Sequence, residues 1–210
     1  TADPQEKIYG YYDTNEYNNF SDMGAWHGYY LHTKSATDLY GGFAGPVIIA
    51  EEYPVNLSDS INKINLEKVT ADGIEKIDLT TAETSEVYYP GRLEQTYELE
   101  DLILKLKLIF GTNRTALIET SIINKTEEDL ELNLSWDGHL FTYYTNPSND
   151  MGTSLSQRDN GVKVDFETIR STWSYMTTDQ NSFDVVLSEK DITTEISDDK
   201  LSYTITKNTP

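Results

Sequence analysis

The sequence predicts an all-β domain, a large antiparallel sandwich of two sheets, and three observations point to it. Apolar residues recur at every second position in run after run: Leu102, Leu104, Leu106, Leu108 and Phe110; Leu130, Leu132, Leu134 and Trp136; Val162, Val164 and Phe166. A strand sends successive side chains to opposite faces, so this period marks strands with one buried face. Polar turn segments separate the runs at short intervals, as in sandwiches. No window of helical length carries a 3.6-residue apolar stripe. At 210 residues the chain fits one such domain, 1–210, and no repeat, low-complexity tract or linker divides it.

The elements follow in order. Residues 1–21 are polar and rich in Tyr and Asn, and read as an irregular arm anchored by Tyr9, Tyr11, Tyr12, Tyr17 and Phe20. Next comes the densest run of the chain, Asp22-Met23-Gly24-Ala25-Trp26-His27-Gly28, then Gly41-Gly42-Phe43-Ala44-Gly45-Pro46 and Glu51-Glu52-Tyr53. Glycine permits bends and close backbone approaches, and Trp offers a broad apolar face with one donor. The stretch is either a bend around a core Trp or a shaped surface. Val47-Ile48-Ile49-Ala50 reads as a short buried strand. Residues 61–79 alternate around Ile64, Leu66 and Val69, turn at Ala71-Asp72-Gly73 and resume with Ile77 and Leu79, a hairpin signal.

A strand over 93–99 turns at Glu100-Asp101 into the run from Leu102 to Phe110, whose opposite face carries Lys105 and Lys107. Strands follow at 115–123 and, after a polar turn at 124–129, at 130–136. Residues 146–160 read as a polar loop containing Pro147. Three further alternations, at Val162 to Phe166, Phe183 to Leu187 and Leu201 to Ile205, complete about a dozen strands, with a turn at Ser197-Asp198-Asp199.

Composition narrows the function. Lys plus Arg number 16 against 36 Asp plus Glu, a formal net charge of −20. Such a charge repels nucleic acid and anionic membrane surfaces. There is no cysteine, so disulfides, thiol nucleophiles and Cys-bound zinc are excluded. No apolar run reaches the roughly 20 residues of a membrane helix. The ending Asn208-Thr209-Pro210, without a capping element, is expected to be part of a longer polypeptide.

Catalytic chemistry finds little support. His27 and His32 lie five apart, which on a strand sends them to opposite faces, and His139 is remote. No His-Glu-x-x-His or calcium loop is present, so neither metal nor cofactor is expected. Gly-x-Ser-x-Gly is absent, and the glycines at 41–45 precede an apolar strand where a phosphate loop would open a helix. Glu51 and Glu52 follow a buried run and Asp137 follows Trp136, but adjacent strand residues point apart, so the two Glu cannot share a cleft. Trp26, Trp136, Trp173 and many Tyr could stack on sugar. Trp136 and Trp173, however, continue core alternations. The four Asn-x-Ser/Thr sequons, at Asn56, Asn113, Asn124 and Asn133, carry no weight in so Asn- and Thr-rich a chain.

The three motifs of the glycine-rich stretch resemble the N-terminal domain of bacterial glycoside hydrolases of family 63, relatives of the processing mannosyl-oligosaccharide glucosidase. The similarity continues through Arg114-Thr115-Ala116-Leu117-Ile118-Glu119-Thr120, Trp136-Asp137-Gly138, Gly161-Val162-Lys163-Val164-Asp165-Phe166, Arg170-Ser171-Thr172-Trp173 and Thr194-Glu195-Ile196, in order over nearly the whole chain. The resemblance implies a super-sandwich of the galactose-mutarotase-like kind, packed on a helical (α/α) barrel of the same polypeptide. That barrel would carry the catalytic acid and base of an inverting α-glucosidase. Nothing in this chain resembles it, so no catalytic residue is expected here. The edge at 201–206 is expected to lack a closing strand.

The reading is therefore a non-catalytic N-terminal domain of an enzyme cleaving α-glucosidic bonds in oligosaccharides, periplasmic or secreted. Trp26, His27, Gly24, Gly28, Gly42, Phe43, Gly45 and Glu52 are the candidate residues for the barrel interface or the substrate, with oligosaccharide as a possible ligand. The alternatives are an independent carbohydrate-binding module and a protein-interaction domain.

Overall fold

The structure is a computed structural model and describes residues 20–32, 35–50, 53–143, 150–167 and 180–208. The expectations for the arm before Phe20, for Glu51 and Glu52, for residues 170–173 and for Tyr175 fall outside these residues. Among those described there are fifteen strands and no α-helix. They run β1 (His27–Tyr30), β2 (Ala44–Ala50), β3 (Tyr53–Asn56), β4 (Ser60–Thr70), β5 (Gly73–Lys76), β6 (Glu83–Tyr89), β7 (Arg92–Glu98) and β8 (Leu102–Thr112). Then come β9 (Thr115–Asn124), β10 (Leu132–His139), β11 (Ser154–Arg158), β12 (Gly161–Glu167), β13 (Gln180–Val186), β14 (Ile192–Ile196) and β15 (Ser202–Lys207).

Hydrogen bonding groups them into four antiparallel sheets, ordered β1-β2-β3, β14-β15-β10-β4-β5, β11-β12-β13 and β6-β7-β8-β9. The run from Leu102 to Phe110 is β8, with its five even-numbered apolar residues buried and Lys105 exposed. Facing them in register, β7 sends Leu93, Gln95 and Tyr97 to the same side. Ile64 of β4, Trp136 of β10 and Ile205 of β15 align across the five-stranded sheet on one face. Ile64 and Trp136 share a buried cluster with the inward residues of β7 and β8. Ile205 and Tyr203 instead cluster with Leu155, Val162 and Val164 of β11 and β12. One face of the five-stranded sheet is thus covered by two smaller sheets side by side, a sandwich in the expected sense. Fully burying a side chain of this size contributes roughly 1.5–3 kcal/mol, and that is what fixes the register of each strand.

The third small sheet joins this sandwich through a bridge from Phe43 to Ile61, and through a cluster of Val55, Leu57, Phe141, Met151 and Phe166. It positions the glycine-rich stretch.

Two expectations are corrected, and two strands are added. Part of the loop at 146–160 is strand β11, whose Leu155 is buried against Val164 while Ser154, Gln157 and Arg158 keep the segment polar. The residues near 201–206 do not form an open edge: β15 is paired on both sides, with β10 and β14. Strands β6 and β14 stand where no alternation was read. Both are sheet edges whose burial is only partial, so no full apolar period is imposed on them.

Candidate functional site

The run from Asp22 to Gly28 folds as a reversal. Phe20 and Tyr29 bridge, the Phe20 amide donating to the Tyr29 carbonyl at 2.7 Å and the Tyr29 amide to the Phe20 carbonyl at 2.9 Å. At its tip the Ala25 amide donates to the Asp22 carbonyl at 3.0 Å, across Met23 and Gly24 at φ +55° and +70°. Two consecutive left-handed residues define a tight turn, and Gly24 adopts that conformation without steric cost. The Asp22 carboxylate accepts the Met23 amide at 2.7 Å and the Ser21 hydroxyl donates to the Ala25 carbonyl at 2.8 Å, so the tip is tied internally.

Alternation beyond the turn sorts the side chains. His27 turns under, its ring centroid 5.1 Å from that of Phe110 and 5.8 Å from that of Tyr29. Phe20 meets the same Phe110 ring at 5.4 Å. Trp26 turns out and is 57% exposed, as is Met23 at 58%. Trp26 and Met23 thus put two large apolar side chains on the surface of the turn.

Tyr88 and Tyr89 lie partly exposed at the end of β6. The Leu31 amide donates to the Tyr88 hydroxyl at 3.0 Å, which fixes the end of β1 on β6. Burial pushes the Tyr88 phenol up to about 12, against the Leu31 amide hydrogen bond, which acts in the opposite direction. The Arg92 guanidinium sits 4.4 Å over the Tyr89 ring and pairs with Glu94 at 2.5 Å. Asp22 lies close to the β6–β7 turn, since a Cβ on Gly91 would stand 3.8 Å from its Oδ2.

The second glycine run is held by a polar network that the sequence did not disclose. Gln95 Nε2 donates to the Gly42 carbonyl at 2.6 Å, Tyr97 Oη donates to Gln95 Oε1 at 2.6 Å, and the Gly41 amide donates to Tyr97 Oη at 3.0 Å. Gln95 and Tyr97 are both fully buried. A polar residue on the core face of an otherwise apolar strand was the available signal. At Gly42 a Cβ would meet Ser60 Oγ at 2.2 Å. Gly45, at φ +129°, stands against Gly28 of β1, and a Cβ there would lie 2.8 Å from the Gly28 carbonyl oxygen. The Gly45–Pro46 peptide is cis. Phe43 is 1% exposed and belongs to the core.

Of the predicted residues, then, Trp26 and Gly24 are exposed, His27 packs on Phe110, Gly28 and Gly45 meet in a close backbone approach, Gly42 accepts from Gln95, and Phe43 lies in the core. Glu52 lies outside the described residues. Trp136, read as core, is 7% exposed, and Asp137 accepts from Asn65 Nδ2 at 2.8 Å.

The histidines are poorly placed for chemistry. Burial lowers the pKa of His27, and its Nε2 is shielded without a hydrogen-bond partner among the described residues. His32 is 3% exposed, with Nε2 2.6 Å from the Asp59 carbonyl oxygen and a pKa lowered by burial. His139 Nδ1 stands 2.9 Å from Ser202 Oγ, a directly opposed cross-strand pair, and no carboxylate among the described residues hydrogen-bonds its ring to complete a nucleophilic triad. Among the described residues no group of three or more His, Asp or Glu is placed to hold a metal ion.

This is an all-β sandwich with an exposed Trp26 on a tight turn backed by the Phe110, Phe20 and His27 rings. The family model described as the N-terminal domain of glucosidase YgjK matches residues 1–209, and the chain belongs to that family. The family is part of glycoside hydrolase family 63, in agreement with the resemblance carried by the motifs.

Proposed function

We propose that the chain is the non-catalytic N-terminal domain of a glucosidase that cleaves α-glucosidic bonds in oligosaccharides, periplasmic or secreted, and that it packs on an (α/α) barrel of the same polypeptide. The observation that supports this most is the family match over 1–209 together with the outward Trp26 and Met23 at the braced tip. An exposed Trp face is worth most when covered, and a neighbouring catalytic domain or the substrate at its rim would cover it. Gly24 lets the tip turn, and the stack of His27, Phe20 and Phe110 keeps it from collapsing inward.

The test has two parts. The purified 210-residue chain should leave aryl α-glucosides intact, and hydrolysis that survives removal of trace contaminants overturns the non-catalytic reading. In the glucosidase containing it, Trp26→Ala should lower kcat/KM for an oligosaccharide about tenfold, the loss of roughly 1.4 kcal/mol of transition-state stabilisation. Unchanged kinetics and unchanged domain docking together would remove Trp26 from the rim. A second reading, sugar binding by the isolated domain, draws on the same exposed ring. Titration with malto-oligosaccharides separates the two, because only a binding module shows affinity that Trp26→Ala abolishes with the fold intact.

A further inference from the structure

Strand β9 differs from the other edges of this fold. It is ten residues long and pairs with β8 alone, so its outer row of backbone groups is open among the described residues. Edge strands β5 and β3 have four residues each and β14 has five. Edge β6 carries Glu83 and Glu86, and edge β13, with one charge as in β9, is three residues shorter. Natural edges are kept from pairing by shortness, prolines, bulges or charges, and especially by Lys. Along Thr115–Asn124 there is one charge, Glu119, and no Pro, Gly or Lys. Two large apolar residues on its outer face, Leu117 and Ile123, are 49% and 43% exposed.

We propose that β9 is a self-association edge, on which two copies of this chain pair antiparallel about a two-fold axis through Thr120. Such an axis, perpendicular to the sheet, keeps the outer faces of both copies on the same side. Residue i must then oppose a residue of the same parity, which leaves few registers. Centring on Thr120 sets Leu117 against Ile123 of the second copy, Glu119 against Ser121, Ile118 against Ile122, and Thr120 against itself. Apolar meets apolar on both faces, the hydroxyls meet at the axis, and the one carboxylate meets a hydroxyl. Moving the axis to Glu119 would oppose two carboxylates, which is destabilising for directly opposite residues. The cross-strand ion pair of Lys107 with Glu119 also offsets the charge at this edge, in a chain whose total is −20. The four-stranded sheets of the two copies thereby become one continuous sheet. A contact made by one strand edge falls below the ~1,200 Å² typical of stable interfaces, so the association is concentration-dependent.

The register supplies its own test, because Ser121 is exposed and lies opposite Glu119 of the second copy. Sedimentation equilibrium of the chain over a wide concentration range should show a monomer–dimer equilibrium. Ser121→Glu places two pairs of carboxylates face to face and should lower the association constant at least tenfold. Ser121→Lys places an ammonium group against each Glu119 and should preserve or raise it. Within one copy residue 121 stands opposite Lys105, so the glutamate variant keeps a favourable neighbour and folds. Amide exchange over 115–124 should also slow with concentration in the unsubstituted chain. A chain monomeric at every concentration reached, two variants that shift association alike, or exchange independent of concentration overturns the proposal.

Discussion

Gln95 sits buried on β7 between the Gly42 carbonyl and the Tyr97 hydroxyl, at 2.6 Å from each, and through them it anchors the second glycine run to the core. Replacing it with leucine keeps the volume but leaves the Gly42 carbonyl and the Tyr97 proton buried without their partner. Leaving a buried polar group unsatisfied costs roughly 1–3 kcal/mol. Gln95→Leu should therefore lower stability by about that amount in urea unfolding, and a loss under about 0.5 kcal/mol, the scale of ordinary surface changes, argues against the network. His32 provides a pH test. Burial lowers its pKa in the fold, so below the unfolded value near 6.5 the unfolded chain binds more protons. Its contribution to stability is complete above that value and is lost as pH falls through the lower folded pKa. The charged groups facing it are Asp59, Asp38 and Lys63. Asp59, raised by burial, works in the opposite sense, its stability declining as pH rises above 3.8. His32→Gln should flatten the fall in stability below pH 6.5 relative to the unsubstituted chain, and an unaltered slope contradicts this assignment. At this scale the sequence located Trp26 and His27 but not which faced solvent. One Trp beside one His has no period from which to read a face.

At the scale of elements, reading depended on how much of a strand is buried. β8, β10 and β12 are central, each with a strict alternation over its buried face, and each was legible from its apolar period. β6 and β14 are edges with partial burial, and β11 buries Leu155 among polar neighbours, so none of the three carries a full apolar period. The pairing of β15 on both sides was not read because its second partner, β14, is a partly buried edge strand without a full apolar period. Where β1 meets β2, the fold depends on a close approach that the Gly-rich composition announced without locating. Gly45→Ala would put a Cβ 2.8 Å from the Gly28 carbonyl oxygen at a φ of +129°, which L-residues rarely adopt. Strain of this kind costs about 1–3 kcal/mol. Thermal unfolding should register a lowered Tm for Gly45→Ala, and an unchanged Tm would mean that the β1–β2 contact relaxes freely.

For the whole molecule, charge sets an electrostatic bias. A net charge of −20 disfavours polyanions such as nucleic acid and anionic lipid. The family match over 1–209 supplies the context of a glucosidase, and the sandwich supplies a rigid frame for the Trp26 tip. The fold class was legible because one physical signal, the two-residue period, repeats through most of the chain. The tip carries no such period, and no carboxylate pair, nucleophile or metal set among the described residues gives it a chemistry of its own, so the role proposed for it draws on the motif resemblance. The central claim is that this tip docks at the barrel or its rim. Hydrogen exchange over 22–30, compared between this chain and the glucosidase containing it, tests that claim most directly. Docking of the tip should slow exchange of the Met23 to Trp26 amides when the catalytic domain is joined. Equal exchange in the two would contradict it.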